Sequence, residues 1–248
     1  MTVVGYTFRW ELVPESAGAL AHGLRITLEL SALSFLLSLA IGLVVALCRL
    51  APSRPLRAVA YVYTQVFRAL SLYVYVLFLY FGIAAVFGIN LGTFAAGVVA
   101  LTLLNSAYMA EIYRAAIQSV EPGQREAALA VGLGHTRSFS SVVLPQAIRV
   151  AVPGLVNQLV DIIKDSSIVA VIGVFDLMGT TIQLVNSERA PFELYTVTAV
   201  TYIALILLVS AAAALLERRL ARHLAGGGAG PGPLARMRAY RFGGEVPA

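Results

Sequence analysis

The sequence predicts an all-α integral membrane protein of five transmembrane helices, with its N-terminus outside and its C-terminus in the cytoplasm. Three observations carry that expectation. Of 248 residues, 59% are hydrophobic and 12% charged, a balance that soluble domains of this length do not show. A helix needs about 20 mostly apolar residues to cross the roughly 30 Å of bilayer hydrocarbon, and the stretches 24–47, 58–87, 94–113, 148–174 and 194–216 each supply them. Arginine then orients the set, because cationic connections stay on the cytoplasmic side. Arg49, Arg54, Arg57, Arg114, Arg125, Arg137, Arg149, Arg218, Arg219, Arg222, Arg236, Arg238 and Arg241 fall on one side. Only Arg9, Arg25 and Arg189 fall on the other, and Arg68 and Lys164 lie within spans.

Residues 1–21 form a short outside segment in which Tyr6, Phe8 and Trp10 suit the headgroup layer. The first apolar run is too long for a cleaved leader and its positive flank follows it, so it is expected to remain as the first span. Cys48 within that run is the sole cysteine, which leaves no intrachain disulfide and no thiolate metal site. The second stretch, 58–87, is long enough to tilt or break, with Gly82 and Gly88 marking its exit. After the fifth span, 223–248 reads as a flexible basic tail, introduced by the glycine- and proline-rich run 226–233. The intervening 22–222 make up the membrane domain.

Between the third and fourth spans lies the strongest local pattern. Glu126-Ala127-Ala128 is followed by three residues, Gly132, nine residues, and then Val142-Val143-Leu144-Pro145. Pro122 suits a first helical turn, where its missing N–H would be unpaired anyway, and Gly132 suits a left-handed C-terminal cap. A helix is therefore expected over 122–131. Thr136 is placed to cap a second short helix, which Pro145 ends or which gives way there to the next. Two helices meeting near Gly132 to Gly134 make an elbow that can enter a cleft in another protein.

The fourth span carries a polar stripe: Asn157, Asp161, Lys164 and Asp165 recur at three- and four-residue intervals, with Gln158 beside them. Charges at mid-bilayer cost about 2.5–3.5 kcal/mol on insertion scales and so face protein or water. Two readings stand: the stripe lines a solute path, or Asp161 and Lys164 form an ion pair that only holds helices together. Asn105, Tyr108, Tyr73 and Tyr75 either touch solute or pack. Glu111 and Arg114, at i,i+3, suggest a local pair, and Arg68 is expected to snorkel to the interface.

Other classes fare worse. The net charge of +5 sits in short loops and tail, where membrane orientation accounts for it, so no nucleic-acid partner is expected. His22, His135 and His223 are scattered, which argues against a metal site. No Gly-x-x-x-x-Gly-Lys-Ser/Thr loop is present, so ATP and Mg are expected on a separate chain. A membrane-embedded enzyme would need a nucleophile beside a base, a passive channel would need a filter sequence, and neither is found. No internal repeat of the kind secondary transporters carry is visible.

The elbow pattern resembles the cytoplasmic coupling loop of permease subunits in bacterial ABC importers, written EAA, three residues, Gly, nine residues, aliphatic, any residue, Leu-Pro. The likeness extends over roughly 22–222 and narrows to the polar amino acid uptake subfamily. It is carried by Gly23-Leu24-Arg25-Ile26-Thr27-Leu28-Glu29-Leu30-Ser31 and by the run 104–119 from Leu104-Asn105-Ser106-Ala107-Tyr108 onward. Leu144-Pro145-Gln146-Ala147, Pro153, Asn157, Lys164-Asp165-Ser166-Ser167 and Leu216-Glu217-Arg218-Arg219-Leu220 add to it. The resemblance implies a type I importer fold in a bacterial cytoplasmic membrane, an ABC ATPase dimer, a second permease subunit, identical or not, and an extracytoplasmic solute-binding protein. It implies that Glu126, Ala127, Ala128, Gly132, Leu144 and Pro145 couple to the ATPase. It adds Ser166 to Asn157, Asp161, Lys164, Asp165, Asn105, Tyr108, Tyr73 and Tyr75 as path residues. One segment departs: the subfamily's Phe-Arg-Gly-Thr-Pro-Leu-Leu-Val-Gln is replaced by Phe67-Arg68-Ala69-Leu70-Ser71-Leu72-Tyr73-Val74-Tyr75. A smoother helix is expected there, and an ectoine-like compatible solute stands beside polar amino acids as cargo.

Overall fold

The structure, a computed structural model, describes residues 2–3 and 6–225, so the expected linker and tail from 226 on lie outside the described residues. Apart from a hairpin of two-residue strands, Thr2–Val3 and Tyr6–Thr7, the described elements are helical. They are α1 (Leu12–Leu50), α2 (Arg54–Ala69), α3 (Leu72–Leu77), α4 (Ile83–Phe87), α5 (Thr93–Gln118) and α6 (Pro122–Ala130). There follow α7 (His135–Ser138), α8 (Leu144–Asp165), α9 (Leu177–Glu188) and α10 (Pro191–Ala225). Residues up to 210 form one compact unit, distinct from the chain beyond it, and the sites described below belong to that unit. Among the described residues, four stretches are long and apolar enough to cross a membrane: Leu12–Leu50, Thr93–Gln118, His135–Ile172 and Pro191–Leu215. A fifth is added if α2 and the α3–α4 segment count as one broken span.

The outward faces are the oily ones. On α1, Leu28, Leu33, Leu36, Leu37, Val44 and Leu47 are exposed, while Thr27, Ser31, Ser34, Ser38, Gly42 and Ala46 are buried. Lipid tails are as apolar as leucine, so membrane helices associate through close approach of small residues instead. Here that row lies against α5, with Ser34 and Ser38 hydroxyls donating to the carbonyls of Val98 (3.5 Å) and Thr102 (3.2 Å). At Gly42 a Cβ would come within 2.8 Å of Met109 Cβ and 3.0 Å of the Ser106 carbonyl oxygen.

Helix α1 starts at Leu12, so residues 12–21 of the expected outside segment 1–21 are helical. The residues before it are held by the α9–α10 connection: the Arg9 N–H donates to Glu193 Oε1 (2.6 Å), its guanidinium donates to the Glu188 carbonyl (3.0 Å), and Phe8 and Trp10 meet Phe192 edge-on. The second span is not a smooth helix. Leu70 and Ser71 are extended (φ −78°, ψ 138° and φ −69°, ψ 127°), and the chain bends by 108° there without a proline. Each arm has its own anchorage, which overrides local helix propensity. The Tyr63 hydroxyl bonds the Leu103 carbonyl and the Ser106 hydroxyl, fastening α2 to α5. Tyr75, Val76 and Leu79 are buried in the main core with Leu30, Leu101 and Val169, fastening α3. Of the two glycines expected at the exit, Gly88 takes it, in the left-handed conformation (φ +65°), while Gly82 lies inside a π-turn, Phe78–Gly82.

Candidate functional site

Two features emerge, an exposed elbow and a polar cavity open on one side. Helix α6 begins at Pro122, as expected, and stops in a Schellman motif. Gly132 is left-handed (φ +84°), its N–H donates to the Leu129 carbonyl (3.0 Å), and the Leu133 N–H reaches back to the Ala128 carbonyl (3.1 Å). These bonds satisfy carbonyls that a helix end otherwise leaves open. Glu126, Ala127 and Val131 are exposed, and Ala128 is buried against the body of the elbow.

The second arm differs from expectation. Gly134, and not Thr136, is the N-cap of α7. That arm is no separate short helix either, because α7 passes through a π-turn, Phe139–Val143, straight into α8. Leu144 donates to the Phe139 carbonyl, five residues back, and Pro145 follows at the start of α8. A proline has no N–H for the fourth carbonyl behind it and its ring crowds that carbonyl, and the wider π-turn absorbs both defects. From His135 to Ile172 the chain is thus one continuous helical stretch. Behind the elbow, a cavity of about 810 Å³ opens between Leu50, Ile117, Glu126, Leu129, Phe139 and Val143.

The second cavity, about 350 Å³, lies where the bend at Leu70 faces α5 and α8. Leu70, Leu72 and Leu104 give it apolar walls, and Asn105, Tyr108, Gln158, Asp161 and Asp165 give it polar ones. Gln158 donates to Asn105 Oδ1 (2.6 Å), and Asn105 in turn donates to the Leu101 carbonyl (2.8 Å), which fixes the amide orientation of both. The Tyr108 hydroxyl donates to the Arg68 carbonyl at the bend (3.4 Å), and the Arg68 guanidinium stands 5.5 Å from the Tyr108 ring centre. Arg68 is therefore held over an aromatic face, a cation–π arrangement.

Four of the residues singled out as path candidates, Asn105, Tyr108, Asp161 and Asp165, come together in this lining. Lys164 is outside it, with Nζ 3.3 Å from Asp161 Oδ1 and both side chains about half exposed. Asn157 is exposed elsewhere on α8, and Ser166 is fully buried with its hydroxyl on the Ile163 carbonyl. Tyr75 packs edge-on against Phe67 in the core, whereas Tyr73 is 51% exposed. Sequence periodicity missed the contribution of Leu70 and Leu72, because the bend that aims them carries neither Pro nor Gly. Glu111 pairs with Arg114 as expected, and also with Arg49 of α1 at 3.8 Å.

Known proteins agree with this architecture. The family model described as the binding-protein-dependent transport system inner membrane component matches residues 38–222. The arginine transport system permease protein ArtQ of Bacillus subtilis is 35% identical over 199 residues, which are 80% of this chain and 91% of that protein. The putative glutamine transport system permease protein GlnP of Rickettsia felis is 32% identical over 203 residues, 81% of this chain and 92% of that one. A chain in the crystal structure of an amino acid ABC transporter with histidines superposes with a TM-score of 0.82 at 36% identity, covering 86% of this chain and 100% of its own. A chain of the inward-facing MetNI methionine ABC transporter shares the fold, with a TM-score of 0.72 at 20% identity over 83% of this chain and 98% of its own.

Proposed function

Because the chain belongs to the binding-protein-dependent transport system inner membrane component family, we propose that it is the permease subunit of an ATP-driven ABC importer for polar amino acids. It sits in a bacterial cytoplasmic membrane with its N-terminus outside and its C-terminus inside. It pairs with a second permease subunit, receives solute from an extracytoplasmic binding protein, and is driven by an ABC ATPase dimer that binds ATP and Mg. The observation that carries this reading is the elbow: Glu126 to Pro145 stand out from the bundle on a capped turn that is continuous with α8, the helix bearing Asp161 and Asp165. Nucleotide-driven closure of the ATPases moves the elbow, and α8 carries the motion to the polar cavity. None of these residues does covalent chemistry.

The cavity supports a solute with an ammonium group. Two carboxylates, Asp161 and Asp165, line it, outnumbering the one lysine nearby, Lys164, which bonds Asp161 and also attracts Asp165. Asn105 and Tyr108 supply the hydrogen bonds that orient the rest of the solute. A hydrogen bond to a charged group contributes about 1.5–3 kcal/mol, and each 1.4 kcal/mol is a factor of ten. Asp165→Asn is accordingly expected to raise the KM for uptake by roughly tenfold or more, with the complex still assembled. The check is uptake by proteoliposomes holding the complete transporter, against a panel of polar amino acids and ectoine-type zwitterions. An unchanged KM and an unchanged preference in both Asp165→Asn and Lys164→Met would assign the stripe to helix packing alone.

A further inference from the structure

Four arginines converge at one end of the bundle, on groups the transport cycle does not use. Arg49 and Arg114, together with Arg54, Arg57, Ala58, Tyr61 and Gln118, enclose a cavity of about 400 Å³ where α1 ends and α2 begins beside the end of α5. Arg49 and Arg114 are mostly buried and held in place. Arg49 donates to the Thr64 hydroxyl (2.5 Å), lies 4.9 Å from the Tyr61 ring centre and shares Glu111 with Arg114, which is braced further by Gln118. The Arg54 and Arg57 side chains have no hydrogen-bonding or ionic partner among the described residues, and both residues are exposed. Among the described residues Glu111 is the sole carboxylate paired with any of the four, so the cluster keeps a net positive charge. The first turn of the 16-residue α2 adds the open N–H groups of Arg54 and Leu56, since Pro55 has none and the Ser53 side chain caps neither.

We propose that this pocket binds the phosphate of an anionic phospholipid headgroup. Guanidinium groups match phosphate oxygens in paired hydrogen bonds, and basic pockets between helices at the membrane surface suit lipid headgroups. A lipid fits better than a soluble phosphate because of what lies beside the charge. Val59, Val62 and Val66 recur at i, i+3 and i+7 on the same helix and are 70%, 58% and 48% exposed, a surface on which an acyl chain can lie. The same helix therefore presents charge at its first turns and exposed hydrocarbon beyond them, with Val62 one turn past Ala58 of the pocket, as the ends of one phospholipid do.

The test is native mass spectrometry of the full-length subunit in detergent, stripped of lipid and titrated with phosphatidylglycerol or phosphatidylethanolamine. The wild-type chain should retain phosphatidylglycerol preferentially. The doubly substituted R54Q/R57Q chain should lose that preference, by on the order of fivefold for each arginine removed, while R54K/R57K keeps most of it. Neither arginine side chain has a structural partner, so the variants should fold, and R149Q, outside the pocket, should bind as wild type does. Equal retention by R54Q/R57Q, an equal loss in R149Q, or no preference between the two lipids would overturn the proposal. Displacement by millimolar inorganic phosphate would overturn it in favour of a free anion.

Discussion

Gly132→Val is expected to abolish ATP-driven uptake while leaving the subunit in the membrane and the bundle intact. A Cβ at this position would meet nothing within 4 Å, so crowding is not the reason. The reason is conformation. At φ +84° a residue with a side chain carries a penalty of about 1–2 kcal/mol, more when it is β-branched, and the two Schellman bonds hold only while that conformation does. Once the turn relaxes, α6 frays and the exposed face at Glu126 and Ala127 no longer keeps a fixed angle to α8. Gly132→Asn, whose side chain tolerates the left-handed region, should keep most of the uptake. Gly134→Ala should be neutral, since its φ of −65° is ordinary and the site is open. Nucleotide hydrolysis by the reconstituted transporter, with and without solute-loaded binding protein, measures the loss. Full stimulation in Gly132→Val would show that the turn's geometry does not matter.

Gly42→Leu should act one level lower, on assembly of the helices themselves. The first added carbon already violates contact with Met109 and with the Ser106 carbonyl, and three more must follow it into the α1–α5 seam. Overpacking of this kind costs about 1–3 kcal/mol for modest insertions, and here it pries apart the two helices that bury the small-residue row. The recovered monodisperse subunit should fall by about tenfold or more, since that is what 1.4 kcal/mol represents. Gly18→Leu is the internal control on the same helix: its Cβ meets nothing within 4 Å, so yield should not change. Size-exclusion profiles of the solubilised chains decide the matter, and equal yields from the two variants would contradict the close-packed seam.

These two glycines also show what the sequence made legible. Gly132 was readable, because a capped helix end leaves a local signature in the chain: Pro at the first turn, Gly past the last. Gly42 was not, because hydropathy reveals a span's length, whereas the inward face of α1 is marked by a row of small residues, Thr27, Ser31, Ser34, Ser38, Gly42 and Ala46, that hydropathy does not weigh. The bend at Leu70 escaped for a related reason. Nothing in the dipeptide Leu70-Ser71 breaks a helix, and the break comes from anchoring Tyr63 on one side and Tyr75 on the other to different neighbours. The polar stripe of α8 was visible by its spacing, yet only part of it enters the cavity. Spacing on one helix tells which residues share a face, whereas the Gln158–Asn105 bond joins two helices through partners 53 positions apart.

The claim that the elbow couples this subunit to a motor is tested most directly by replacing residues 122–134 with a glycine–serine linker. Solute accumulation is then measured in proteoliposomes that contain the ATPase chain, with the binding protein outside and ATP inside. The account predicts ATP-dependent accumulation with the native elbow and none with the linker, although the linker subunit still inserts and pairs. Undiminished accumulation through the linker variant would contradict it.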